Sequence, residues 1–76
     1  MINKERIRRL VKELGYQPTD SKGDHWTKEH YDGDLSIAIG SRKVDIDLVC
    51  RPIREGWALK EAKTTIGAVR IINRYN

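Results

Sequence analysis

The stretch SKGDHW, residues 21–26, gathers a cation, a glycine, a carboxylate and an imidazole into six residues. Imidazole is the side chain that ordinarily exchanges a proton near neutral pH, which makes His25 a candidate acid or base. Gly23 lets the chain bend without a side chain blocking approach, and Lys22 can attract a phosphate. Asp24 adds a negative charge beside the imidazole, which favours a general-acid role. The plainer alternatives for His25 are a polar loop residue, or a minor-groove contact without chemistry. His30 is the only other histidine; it is either a second proton donor near His25 or a surface strand residue. Asp24, His25 and His30 lack a metal-ligand spacing, so neither a metal nor another cofactor is expected at this stretch.

A second set of candidates is basic. In EGWALKEAKTTIGAVRIINRYN, plotted at about 100° per residue, Ala58, Leu59, Ala62, Ile66, Val69 and Ile72 share one side. Lys60, Lys63, Arg70 and Arg74 gather opposite, with Gly67 among them. The spacing predicts a helix over 58–72 that buries Leu59, Ala62, Ile66 and Val69 and presents a basic face. Such a face either binds phosphates, with a salt-dependent affinity, or is simply solvated. Gly67 weakens a helix by ~1 kcal/mol relative to alanine, and its bare backbone permits close approach by another backbone or a phosphate.

The elements that must position these residues start with a helix. Ile7, Leu10, Val11 and Leu14 fall on one stripe; Asn3 is an N-cap, with Ile2 and Ile7 forming a hydrophobic staple, and Gly15 is a left-handed stop. Lys4, Arg8 and Lys12 recur every four residues on the solvent side, with Arg9 beside them. The period then changes. GYQPTDSKG holds a short edge strand, because Pro18 does not suit a central one. HWTKEHY is followed by Asp32-Gly33, a hairpin signal. Leu35, Ile37 and Ile39 alternate with polar or small residues, as do Val44, Ile46, Leu48 and Cys50. The apolar parity is odd before Gly40 and even after it, so GSRK reads as a turn in an antiparallel meander. Asp45 and Asp47 fall on the polar face of their strand. The order is helix, three or four strands, helix: an α+β fold of α-β-β-β-α type, an antiparallel sheet with two helices.

GWALKEAK resembles the start of the last helix of double-stranded-RNA-binding domains, through Gly56, Lys60, Ala62 and Lys63. Ala58 and Leu59 replace that family's serine and first lysine. The resemblance implies lysines that contact RNA phosphates. LVKELGYQPTDSKGDHWTKEHYDG looks like the HicA-type toxins, small messenger-RNA interferases of the same helix, sheet, helix fold. Gly15, Tyr16, Lys22, Gly23, His25 and Gly33 carry that likeness over the first forty residues or so, with Asp24 where the family has serine. What it implies is RNA cleavage with His25 as the catalytic residue, and an antitoxin protein that covers it. An imidazole can take the proton of a ribose 2′-hydroxyl, which then attacks its own phosphate, while nearby cations stabilise the transition state.

DIDLVCRPIREGWALKEAKTT also looks like the PD-(D/E)XK nucleases, with Asp47 and Glu61 as metal ligands and Lys63 as the activating lysine. That reading requires residues 57–63 to be a strand. Strict alternation would then leave no clean core side, which favours the helix.

Seventy-six residues allow one domain, residues 1–76, with one small core; so short a chain buries only ~60% of the surface that its unfolded form exposes and gains from a partner or from homo-oligomerisation. Cys50 is the only cysteine, which excludes an intrachain disulfide and a cysteine metal cluster and fits a reducing cytoplasm. No charged leader or apolar run of ~18 residues occurs, so a soluble protein with no membrane association is expected. The formal charge is +4. The combined expectation is an RNA-binding protein of the cytoplasm, an endoribonuclease of a toxin–antitoxin system with His25 at its centre and Lys22, Gly23, Lys60, Lys63, Arg70 and Arg74 on RNA. A non-catalytic RNA- or partner-binding module is the other class.

Overall fold

The computed structural model describes residues 1–30, 33–50 and 55–75, with the backbone alone at 50 and 55–59. Two helices and five strands follow in the order α1 (Lys4–Glu13), β1 (Gln17–Pro18), β2 (His25–His30), β3 (Gly33–Ile39), β4 (Val44–Cys50), β5 (Glu55–Ala62) and α2 (Thr65–Arg74). The strands form one antiparallel sheet in chain order. The α+β class and the helix–sheet–helix order agree with the sequence pattern.

Helix α1 begins where the Asn3 side chain accepts from the Arg6 backbone N–H at 3.2 Å, and Ile2 and Ile7 are both buried beside that cap. It ends at Gly15, whose φ of 91° continues the chain left-handed. The N–H groups of Gly15 and Tyr16 return to the carbonyls of Lys12 and Val11 at 3.1 and 3.0 Å. This pairing satisfies carbonyls that a helix end otherwise leaves open, and Val11 and Tyr16 close it with buried side chains.

Alternation across β3 and β4 sets the two faces of the sheet. Leu35, Ile37 and Ile39 on β3 and Val44 and Ile46 on β4 are buried. They form one cluster with Ile7 and Val11 of α1 and Ala68 and Ile72 of α2, so both helices cover the same face. The 40–43 turn reverses the apolar parity, closed by the Gly40 N–H on the Lys43 carbonyl at 2.9 Å. His30 pairs with Gly33 across the β2–β3 connection; Tyr31 and Asp32 of the expected hairpin lie outside the described residues. β1 is an edge strand of two residues containing Pro18, as expected.

The C-terminal segment departs from the predicted helix over 58–72. Residues 55–62 are strand β5, paired with β4 from Cys50↔Glu55 to Val44↔Ala62, and the helix starts at Thr65. A register shift at Ile46/Asp47 removes the objection that simple alternation raises. Lys60 lies opposite Ile46 and Ala58 opposite Asp47, so one residue is passed over and the side chains change face, as a bulge allows. Good helix formers in this stretch are thus overridden by pairing with a neighbouring strand. With the helix phase starting at 65, Ala68 and Ile72 are buried, Val69 is half-buried and Ile66 is 59% exposed. Ala62 is buried as expected, from the end of a strand; the Leu59 side chain lies outside the described residues.

Thr64 caps α2 by accepting the Gly67 N–H at 3.0 Å. A Cβ at Gly67 would stand 2.8 Å from that hydroxyl, so the bare backbone serves the cap. The Asn3 N–H donates to Thr65 Oγ1 at 2.8 Å, tying the two helix starts together. No helix among the described residues is long and apolar enough to cross a membrane.

Candidate functional site

Residues 19–25 form a turn that closes on itself before β2. Its ends meet where Thr19 donates from N–H and Oγ1 to the His25 carbonyl, at 2.8 and 3.2 Å. Asp20 organises the interior. Its Oδ1 accepts the backbone N–H groups of Gly23, Asp24 and His25 at 2.9, 3.0 and 3.3 Å. The other oxygen, Oδ2, lies 2.9 Å from His25 Nδ1. The His25 hydrogen bond, joined by those backbone donors, holds the Asp20 carboxyl down at about 2.

Gly23 occupies the bend with φ 74°. Its carbonyl accepts from Trp26 Nε1 at 2.7 Å and from Arg8 Nε at 3.1 Å. The turn is therefore fastened to the buried Trp26 ring and to helix α1. Asp24 completes the attachment: its carboxylate pairs with Arg8 and, at 3.2 Å, with Lys4. Those two cations, Arg8 foremost, hold its carboxyl below the usual carboxylate range. The Asp24 carbonyl accepts the Ile39 N–H at 2.7 Å, linking the turn to β3.

This geometry corrects the role expected of Asp24, whose carboxylate is engaged by helix α1; the carboxylate on His25 is Asp20. The dyad has the arrangement of an oriented general base, with one ring nitrogen fixed by a carboxylate and the other left for proton exchange. The His25 side chain is 57% exposed. His30 is excluded as a partner in this exchange. It sits at the opposite end of β2, five steps away, or ~16 Å at ~3.3 Å per residue.

Lys22, Gly23 and His25 are brought together in this turn as the sequence pattern implies, with Lys22 exposed. The other four cations are not brought onto one helix face. Lys60 lies on β5, Lys63 in the turn after it, and Arg70 and Arg74 on α2; all four are exposed. GWALKEAK forms a strand with the turn that follows it, so the likeness to the start of an RNA-binding helix does not extend to its conformation.

The strand at 55–62 does bear on the carboxylates of β4 and β5. Asp45 faces Glu61, while Asp47 faces Ala58. Lys43 Nζ lies 3.4 Å from Glu61 Oε2 and 3.9 Å from Asp45 Oδ2, neutralising a pair that would otherwise repel. Burial, aided by the Asp45 charge, pushes the Asp47 carboxyl up. Among the described residues no group of three or more His, Cys, Asp or Glu is placed to hold a metal ion. Of the two ligands that the nuclease reading requires, Glu61 thus lies opposite Asp45 and not opposite Asp47.

Asp20, Arg8 and Lys4 are the site residues that motif reading missed. One signal was present for Asp20: aspartate first and glycine fourth, as in residues 20–23, is the composition of a type I turn. Comparison with known proteins gives no match, whether to a family model, a curated protein or a solved structure.

Proposed function

We propose that this chain binds RNA and cleaves it without a metal ion, through the Asp20–His25 pair. One observation carries the reading: an exposed imidazole held at Nδ1 by a carboxylate, on a turn rigidly attached to a helix. In the reaction, His25 Nε2 takes the proton of a ribose 2′-hydroxyl. The 2′-oxygen then forms a bond to the adjacent phosphorus and the bond to the 5′-oxygen breaks. The products are a 2′,3′-cyclic phosphate and a 5′-hydroxyl, whose proton comes from water or from the imidazolium. Asp20 keeps the ring oriented through Nδ1. Lys22, exposed at the tip, attracts the phosphate.

The likeness of residues 10–33 to HicA-type toxins supports the same chemistry. It adds a biological setting: a messenger-RNA interferase of the cytoplasm, restrained by an antitoxin protein covering His25. Incubating a mixed RNA pool in EDTA tests the chemistry. Fragments ending in 2′,3′-cyclic phosphate are expected, and an RNA with 2′-deoxyribose at the cleaved position should survive.

A second reading, a metal-dependent nuclease of the PD-(D/E)XK kind, is favoured by the strand at residues 55–62 and by Asp45 facing Glu61, with Lys63 two residues on. It requires cleavage to depend strictly on Mg²⁺ and to be indifferent to the sugar's 2′-hydroxyl. A chain that binds RNA and cleaves it under neither condition is a binding module.

A further inference from the structure

Among the described residues, charge is divided between the two sides of the sheet. Helix α1 carries five cations against two carboxylates, and α2 carries Arg70 and Arg74 with no carboxylate. Both helices lie on the core side. Alternation places Glu29, Asp34, Asp45, Asp47 and Glu61 on the opposite, open side, and His25, opposite Ala38 at the first position of β2, on that side as well. A polyanion is therefore favoured on the helical side, and it meets His25 at the end of the sheet, past the 19–25 turn.

Within the helical side the cations are not equivalent. Arg8 and Lys4 are already engaged by Asp24. Among the described residues Arg9 and Lys12 take part in no ion pair, and both are exposed. They border a surface depression with Glu5, Arg8 and Trp26, in which three cations face one carboxylate, and Arg9 also borders a second one, between the helices, with Arg6, Leu10, Glu13 and Val69. The first depression adjoins the catalytic turn, because Arg8 and Trp26 both donate to the Gly23 carbonyl.

We infer that the exposed face of α1, centred on Arg9 and Lys12, is a phosphate track for single-stranded RNA that leads along the helical side to the turn whose far end carries His25. The inference deepens the function proposed above and rests on it for the identity of the polyanion. A single strand fits better than a duplex on two grounds. In-line attack by a 2′-hydroxyl needs a backbone released from A-form geometry. A ten-residue helix is also only about 15 Å long, enough for a few phosphates of one strand.

The test uses a short mixed-sequence single-stranded oligonucleotide of 2′-deoxyribose, which carries the phosphates and cannot be cleaved by this chemistry. Binding is followed by fluorescence anisotropy against salt, so a failure of the cleavage reading leaves the result interpretable. Each phosphate contact contributes ~0.7 to the slope of log affinity against log salt for a single strand. The double variant Arg9→Gln/Lys12→Gln, altered only at exposed positions, should therefore lower the slope by about 1.4. Arg42→Gln/Lys43→Gln removes the same net charge from exposed positions of the 40–43 turn and should change the slope far less. No binding by the unaltered chain, equal losses in the two variants, or tighter binding of the matching duplex would overturn the inference. An acidic protein that competes for this face without any oligonucleotide binding would do the same.

Discussion

Replacing Gly23 by alanine tests whether the turn that carries His25 is held as described. With φ at 74°, residue 23 sits where an L side chain is disfavoured, by ~1–2 kcal/mol. Space does not add to that. A Cβ there would meet Arg8 Nε at 3.7 Å, Arg8 Cδ at 3.9 Å and Trp26 Cζ2 at 4.0 Å, all ordinary contacts. Alanine also narrows the unfolded ensemble, which offsets ~0.4–1 kcal/mol. The net loss is about 1 kcal/mol, or ~4–8 °C in Tm for a domain of this size. Asparagine tolerates the left-handed region better and should lose less. Thermal melts by circular dichroism give the first number, and the NMR signal of the Trp26 indole N–H, bonded to the Gly23 carbonyl, reports the turn locally. An alanine variant with unchanged Tm and an unmoved indole signal would refute this account of the turn; so would an asparagine variant that loses more than alanine.

The α2 cap gives a second expectation: Thr64→Ala should lower stability by ~1 kcal/mol, and Gly67→Ala should fail to stabilise despite alanine's better helix propensity, both read from urea midpoints. Tyr16 is 2% exposed and its hydroxyl has no hydrogen-bond partner among the described residues; Tyr16→Phe should raise stability by ~1 kcal/mol, and a lower Tm would show that the hydroxyl is satisfied. The Asp20 carboxyl is held at about 2, below its ordinary 3.8, so its stabilising effect is present above 3.8 and disappears as pH falls through about 2. Asp20→Asn should thus melt below the unaltered chain at neutral pH, and the two Tm curves should converge near pH 2; parallel curves would contradict the assignment.

Much of the scaffold was legible because its signals are local. Asn3 and Gly15 bracket one apolar stripe, and the parity change at Gly40 marks a turn that no straight strand can replace. Strand β5 was not legible, for two physical reasons. Its residues include alanine, leucine, lysine and glutamate, good helix formers, and the bulge beside Asp47 breaks the alternation that would have revealed a strand. Its conformation comes from pairing with β4, which a single stretch of sequence does not display. The site was legible in part for the same kind of reason. The Lys22-Gly23 turn and His25 are neighbours in the chain, whereas the partner of His25 sits five residues back and the partners of Asp24 lie on α1. Adjacency suggested Asp24 for the histidine; the turn's curvature supplies Asp20 instead.

The most direct test of the central claim is the rate of RNA cleavage in EDTA by the unaltered chain, His25→Ala and Asp20→Asn, matched by circular dichroism. The unaltered chain should cleave, His25→Ala should lose ~10²–10⁴-fold, the contribution of a positioned acid–base group, and Asp20→Asn should fall between them. Equal rates in the unaltered chain and His25→Ala, or cleavage that appears only with Mg²⁺, would contradict the assignment of catalysis to His25.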